Sequence, residues 1–390
     1  MKKARIGFIG AGTFISAHHL LTVRDSERME IAAIADLDEA RLAKHRAQMQ
    51  IGYVTADYKR LLADADIDMI IIGTKQDLHA KMIIESLDAG KWVLCEKPMA
   101  ETEEDCKAVL AAEKRNKGKL AVGFNRRFAP AYSETKRLMR NVPKPWYINY
   151  RLMYPNPDKI GGKSFYSTHP RILYEGCHIL DLVSWLLEDV PARVFMTGDR
   201  LFNNCCIIEY QDGSQVSFIC GSMGSYGLWK EYMEVFAKYA AITVQDFTDM
   251  RVRGIPGGRD MLFAPHMGEH AEEVLKWGFD FYELYKSKEL MKSAKEYMQD
   301  YNMFIDAVHR PIAVPFDIEK YDKVNPDLWG FIPDKGWTRS VEDFAVCLLE
   351  GREPMNANGK AGQLSTEIAL ALLKSLETGL PVKMKDIDSI

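Results

Sequence analysis

What the 390-residue sequence has little of narrows its class first. No apolar run approaches the ~18 residues with which a helix crosses a bilayer, so no membrane-spanning segment is expected. Cysteine is scarce and odd in number: seven, scattered, with Cys205 and Cys206 adjacent and no pair at metal-ligand spacing. Such a set excludes a disulfide scaffold or zinc ribbon and reads as reduced core thiols of a cytoplasmic protein. Charge of one sign is not in excess either. A net charge of -4 gives no reason to expect nucleic acid or an anionic membrane as partner. Internal repeats and low-complexity tracts are absent. The basic opening Met1-Lys2-Lys3-Ala4-Arg5 leads into a short strand and a glycine turn, not into a secretory signal. What is present, 47% hydrophobic and 27% charged residues, describes a globular chain with room for two or three domains.

One stretch organises the rest: Trp92-Val93-Leu94-Cys95-Glu96-Lys97-Pro98. Trp92 to Cys95 reads as a short buried strand. Lys97 stands at its end, and the following proline disfavours helical backbone there. In open α/β sheets, ligands bind outside the carboxyl ends of the strands. Lys97 is therefore expected to project into a ligand crevice, where partial desolvation suits a proton shuttle. Taken alone, it reads more readily as a surface lysine in a turn.

The first third of the chain alternates strand and helix, the pattern of a doubly wound parallel sheet. Arg5 to Ile9 is a strand, and Gly10-Ala11-Gly12-Thr13-Phe14-Ile15 turns it into a helix. The first two glycines of a G-x-G-x-x-G pattern are present and the third is replaced by Ile15, so the glycine signal alone is partial. A second strand, Glu30 to Ala35, ends in Asp36, near the ~20-residue spacing of the carboxylate that binds adenosine ribose hydroxyls. Such a carboxylate favours NAD over NADP. Asp36 also suits a helix cap for the run from Asp38. Further strands end at Gly73-Thr74-Lys75 and at Gly123, with helices over Asp57 to Ala63, Leu78 to Asp88 and Thr102 to Asn116.

Taken together these motifs resemble the Gfo/Idh/MocA oxidoreductases, named after glucose–fructose oxidoreductase and inositol dehydrogenase. The segments that carry the resemblance are Gly7-Phe8-Ile9-Gly10-Ala11-Gly12, Ile34-Ala35-Asp36, Gly73-Thr74 with Leu78-His79-Ala80, Gly90 through Pro98, Gly123 through Phe128, and Glu175 through Leu182. Their order and spacing match over about residues 4–245 and 336–385. The resemblance implies a catalytic Lys97, a Glu96 that contacts the nicotinamide ribose, a His178 near the reacting hydroxyl, and Asn125 and Arg126 lining the substrate pocket. The cofactor set is then Gly10, Gly12, Thr13, Phe14, Asp36, Thr74, His79, Glu96, Lys97 and Asn125, with NAD as cofactor. The substrate set is Lys97, Arg126, Tyr154, Arg171, Tyr174 and His178, and the catalytic set adds Glu175 and Asp181, either of which is expected to orient His178. Three departures stand out: Lys75 in place of a proline after Thr74, Tyr174 in place of an aspartate, and Ser167-Thr168-His169-Pro170-Arg171 in place of glycines.

Residues 1–125 are expected to form the NAD-binding Rossmann domain and 126–390 an α+β domain with an open, largely antiparallel sheet. In the second domain Trp146 to Met153 alternates like a strand, and a helix opens at Gly176 or Cys177 with Ile179, Leu182, Val183 and Leu186 as its buried stripe. At that helix's first turn the dipole favours a neutral His178, which can accept a hydroxyl proton. Four or five strand-like runs between Val194 and Asp246 follow. Such a sheet carries the subunit interface in the family, so a homo-oligomer, dimer or tetramer, is expected. About residues 254–335 leave the family pattern and read as an inserted lid or interface subdomain, aromatic-rich from Val274 to Arg310. His266 and His270 stand at helical spacing but lack a third ligand, so no metal is expected.

The function expected is NAD-dependent hydride transfer at a secondary hydroxyl of a sugar, inositol or sugar derivative. An NAD-retaining glycoside hydrolase, acting by transient oxidation and elimination, is the alternative. The basic residues Lys75, His169 and Arg171 raise the further expectation of an anionic substituent on the substrate; Arg171 could instead pair with Asp158, Glu175 or Asp181.

Overall fold

The computed structural model describes residues 2–117, 119–153, 168–223, 230–263, 266–267 and 331–384. Tyr154, His270 and the aromatic stretch Val274 to Arg310 lie outside them.

Six strands form the first sheet: β1 (Ala4–Ile9), β2 (Met29–Ala35), β3 (Tyr53–Thr55), β4 (Met69–Ile72), β5 (Trp92–Cys95) and β6 (Leu120–Val122). They are parallel throughout and lie in the order β3-β2-β1-β4-β5-β6, the Rossmann order. β4 and β5 are nearly all apolar because helices cover both faces of a parallel sheet. One face packs on the helices His79–Asp88 and Glu103–Arg115. Thr102 caps the latter by accepting from the Asp105 N–H. The other face packs on the helix Leu20–Asp25 and on a late one, Trp337–Glu350, whose Val341, Phe344 and Ala345 enter the same cluster as Ile6, Phe8 and Ile71. The chain thus returns to the first sheet more than 200 residues after leaving it. The order reverses between β1 and β4. The crevice that opens at such a reversal lies outside Ile9, Ile72 and Cys95, where the glycine turn, Thr74 and Lys97 follow.

The second sheet has nine strands: β7 (Tyr147–Met153), β8 (Pro191–Gly198), β9 (Asn204–Tyr210), β10 (Gln215–Gly221), β11 (Glu231–Ala237), β12 (Ala240–Gln245), β13 (Asp249–Arg253), β14 (Met261–Leu262) and, from the chain's end, β17 (Val382–Lys383). Their order is β14-β13-β12-β11-β7-β10-β9-β8-β17. Neighbours run antiparallel except β7 and β10. The meander β8-β9-β10 follows the helix Cys177–Leu187 and returns beside β7 in the same direction. One face packs on that helix and on Gly359–Thr378, with Ile179, Leu182, Val183, Ile368 and Leu372 in one core. The other face leaves Tyr147, Ile207, Ile219 and Phe236 exposed. β15 (His266–Met267) and β16 (Phe331–Ile332) pair antiparallel, so the two ends of the divergent stretch meet. All seven cysteines are unpaired. Among the described residues no helix is long and apolar enough to cross a membrane.

Candidate functional site

The glycine turn sits where the sequence places it. Gly10 has φ +88°, and a Cβ there would stand 2.6 Å from the Gly73 carbonyl oxygen, so only glycine is accommodated. Gly12 faces open space. Ile15, at the place of the third glycine, begins a π-helical turn, Ile15–His19, that continues into Leu20–Asp25. Its side chain fits because the neighbouring strand ends in Gly73: a Cβ there would lie 2.2 Å from Ile15 Cγ1. The missing glycine is supplied from the other side of the contact.

Asp36 is tied into this turn. Its Oδ2 accepts from the Ala11 N–H at 2.7 Å and its Oδ1 from the Asp38 N–H at 2.9 Å, while Arg41 reaches both oxygens at 3.1–3.2 Å. Burial alone would raise its pKa; the Asp38 and Ala11 N–H groups and Arg41 together hold it below the usual carboxylate range. Asp36 is not the cap of the following helix. Asp38 is, accepting from the Arg41 N–H.

At the end of β5, Glu96 accepts from His19 Nε2 at 2.7 Å. Burial opposes its charge, but His19 and then Lys97 hold its pKa below the ordinary value. Gly123 makes room for this carboxylate, since a Cβ there would stand 2.9 Å from Glu96 Oε1. Lys97 Nζ donates to the Tyr174 carbonyl at 2.8 Å, which ties the first domain's lysine to the second domain's backbone. His79 is buried with Nδ1 2.8 Å from the Pro98 carbonyl, and burial pushes its pKa down.

The second domain brings His178 to the same place. Its pKa lies well below 6.5, because of burial and then the cations Arg126, Lys97, Lys230 and Lys335. That direction favours the neutral imidazole, and burial rather than the helix dipole is its main cause. Among the described residues its buried Nδ1 has no hydrogen-bond partner, so the expectation that Glu175 or Asp181 orients it is corrected. Asp181 is held by Arg127 at 2.5 and 2.8 Å. Glu175 binds Arg171 at 2.7 Å and Lys230 at 2.5 Å; against burial, Lys230 and Arg171 drive its pKa far below the carboxylate range.

Two expected substrate residues also need correction. Arg171 is 1% exposed, and besides Glu175 it donates to the Gly221 carbonyl and Ser222 Oγ, both at 2.7 Å. It is a buried tie between helix and sheet and does not face the cleft. Tyr174 is buried, with its hydroxyl 2.5 Å from Glu101; its backbone carbonyl, not its ring, serves Lys97. Lys75 is exposed and outside the cleft lining.

The cleft itself has a volume of about 370 Å³. Gly12, Thr13, Phe14, Ile15, Thr74, His79, Glu96, Lys97 and Asn125 line it from the first domain and Arg126, Glu175 and His178 from the second. Arg126 is held by Glu231 at 2.5 and 2.9 Å, and Tyr150 and then Tyr132 extend this buried chain at 2.6 Å each. Four lining residues escaped the sequence reading: Gln76, Lys230, Lys335 and Trp337. Trp337 packs against His18 at 4.1 Å and Phe14 at 5.7 Å, so the late helix closes over the glycine turn. Gly336 in front of it was the available signal, being a glycine directly before an amphipathic helix. Among the described residues no three His, Cys, Asp or Glu side chains stand together as metal ligands.

The glycine cradle, the open Gly12 and the Asp36 carboxylate together fit a dinucleotide. Known proteins agree. Residues 4–124 match the model of the Gfo/Idh/MocA family, described as an oxidoreductase family with an NAD-binding Rossmann fold. The chain is 31% identical over 205 residues to an uncharacterized oxidoreductase of Bacillus subtilis, covering 52% of this chain and 59% of that one. It is 34% identical over 185 residues to inositol 2-dehydrogenase 2 of Saccharopolyspora erythraea, covering 47% and 53%. The chain thus spans a little over half the length of these relatives. In structure it is similar to an oxidoreductase domain protein of Kribbella flavida, with a TM-score of 0.74 at 17% identity, covering 99% and 100% of the two chains. Glycoside hydrolysis finds no support in these names. Over residues 4–124, which match the model of an oxidoreductase family with an NAD-binding Rossmann fold, the chain is similar to the Gfo/Idh/MocA oxidoreductases.

Proposed function

We propose that the protein is an NAD-dependent dehydrogenase acting on a secondary hydroxyl of a sugar, an inositol or a derivative of one. The observation that carries this reading is the meeting, in one cleft, of the glycine turn, Lys97 at the end of β5 and a neutral His178 from the second domain. Bound NAD supplies the hydride acceptor or donor. Gly10, Gly12, Thr13, Phe14, Asp36, Thr74, His79, Glu96 and Asn125 would hold it. In oxidation the hydroxyl proton must leave as the carbonyl forms. Neutral His178 accepts that proton, and the Lys97 ammonium stabilises the developing alkoxide; in reduction the same groups return the proton. The products are a ketone, NADH and one proton. Lys97, fixed by the Tyr174 carbonyl, couples the two domains at the reacting atom.

A spectrophotometric screen of inositols, sugars and sugar acids with NAD tests the reading. NADH formation equal to ketone formed supports it; ketone or sugar release without NADH contradicts it. The exposed face of the nine-stranded sheet, with Tyr147, Ile207, Ile219 and Phe236 uncovered, supports a homo-oligomer through that face. Seven unpaired cysteines support a reducing, cytoplasmic setting.

A further inference from the structure

Among the described residues four cationic side chains line the cleft: Lys97, Arg126, Lys230 and Lys335. Three have oxygen partners. Lys97 donates to the Tyr174 carbonyl, Arg126 is matched by Glu231, and Lys230 by Glu175. Lys335 is different. Among the described residues its ammonium meets two aromatic faces, Phe247 at 5.4 Å and Trp337 at 5.6 Å, and no carboxylate within ion-pair reach.

The backbone holds it there. Gly336 has φ +82°, and a Cβ on it would stand 2.5 Å from the Asn125 carbonyl oxygen. Asn125 Nδ2 donates to the Lys335 carbonyl at 2.7 Å. Beneath, Asp246 and Phe247 both have positive φ, 41° and 67°, an uncommon backbone for a bulky residue and one that needs surrounding support. That turn buries Phe247 under Lys335 and, at 5.7 Å, under Arg126. Burial and then Lys230 push the Lys335 pKa down, while Asp246 and Glu231 oppose this. Lys335 is partly buried, and a partly desolvated ammonium with no acid partner within reach gains from an anion beside it.

We propose that the cleft takes a sugar or polyol carrying a carboxylate, which Lys335 seats beside Lys230 while the reacting hydroxyl faces Lys97 and His178. This rests on the dehydrogenase reading above. It moves the anionic site expected at Lys75, His169 and Arg171 to Lys335 and Lys230. A single negative charge is the match, because Glu231 and Glu175 already answer Arg126 and Lys230, leaving Lys335 as the unmatched cation. A dianionic phosphate would bring a second charge against Glu175, which lines the same cleft.

The test uses D-glucuronate against D-glucose and D-galacturonate against D-galactose, in the full chain with NAD. Turnover is followed by NADH formation, and binding by calorimetric titration of the same compounds into the NADH-loaded protein. The wild type should favour the acid in each pair by at least about ten-fold, the worth of a charge-assisted contact. K335Q should lose most of that preference, K335R should keep most of it, and NADH titration of each variant checks that it is folded. Equal handling of acid and neutral partner, no binding of either acid, or an unchanged preference in K335Q overturns the proposal. Lys335-dependent binding of the acid with no NADH formed from any compound would contradict the dehydrogenase reading and keep the anion seat. NADH formed equally from neutral sugars would do the reverse.

Discussion

Ile15 occupies the space that a side chain on Gly73 would need: a Cβ there would stand 2.2 Å from Ile15 Cγ1. The two positions are complementary, one large and one absent, across the β1–β4 switch point. Gly73→Ala should therefore destabilise the protein by about 1–3 kcal/mol through overpacking and weaken NAD binding, since the turn above Ile15 must shift. Adding Ile15→Ala should restore much of both. Denaturant melts and NADH titration of the single and double variants check this; a double variant no better than Gly73→Ala contradicts the pairing.

That contact explains part of what the sequence could and could not convey. The glycine pattern is incomplete when read along the chain, because the compensating glycine belongs to another strand. Strands β1, β2, β4, β5 and β6 were legible because both faces of a parallel sheet are covered and the runs are apolar. β3 has three residues, too few for a period. β13 alternates Asp249, Arg251 and Arg253 with buried Met250 and Val252, but its charges disguised a half-buried strand. In the site, Lys97, Glu96 and His178 stood in motifs. Lys230 and Lys335 sit in irregular segments with no periodicity, and their role depends on distant partners such as Phe247 and Asn125. The partner of Asp181 was missed because Arg127 and Arg126 are neighbours in sequence that answer different acids, Asp181 and Glu231.

Cofactor choice should follow Asp36. Its carboxylate is kept ionised by the Ala11 and Asp38 N–H groups and by Arg41, and it repels a 2′-phosphate. The ratio of kcat/KM for NAD over NADP should be well above one. In Asp36→Ser that ratio should fall by at least about ten-fold, as Arg41 is released to meet a phosphate. A clear preference of the wild type for NADP contradicts this assignment.

The pH profile should report His178. Oxidation needs the neutral imidazole, so kcat/KM falls only as pH drops through the histidine's own pKa. Burial and four cations hold that value well below 6.5, so activity should persist down through pH 6.5. In K335Q one of those cations is gone, and the acid limb should move to higher pH. An acid limb at or above 6.5 in the wild type, or one unmoved in K335Q, contradicts the role given to His178.

The Arg126–Glu231 pair should be felt as acid sensitivity. Against burial, Arg126 holds the Glu231 pKa down at about 2, below its ordinary 4.5. A carboxylate depressed in the folded state contributes stability that is present above pH 4.5 and lost as pH falls towards 2. Glu231→Gln leaves Arg126 buried without its partner and should cost about 3–5 kcal/mol at pH 7. It should also lose stability less steeply than wild type between pH 4.5 and 2.5. Urea melts across that range check both, and parallel slopes contradict the assignment.

The central claim is that Lys97 acts on the reacting oxygen, and Lys97→Met tests it most directly. Steady-state NADH formation with the best substrate of the screen is compared with NADH affinity measured by titration. A general acid–base or oxyanion-stabilising group contributes roughly 10²–10⁴-fold, so kcat should fall by that much while NADH affinity stays close to wild type. Near-full turnover in Lys97→Met, or a loss confined to cofactor affinity, contradicts the account.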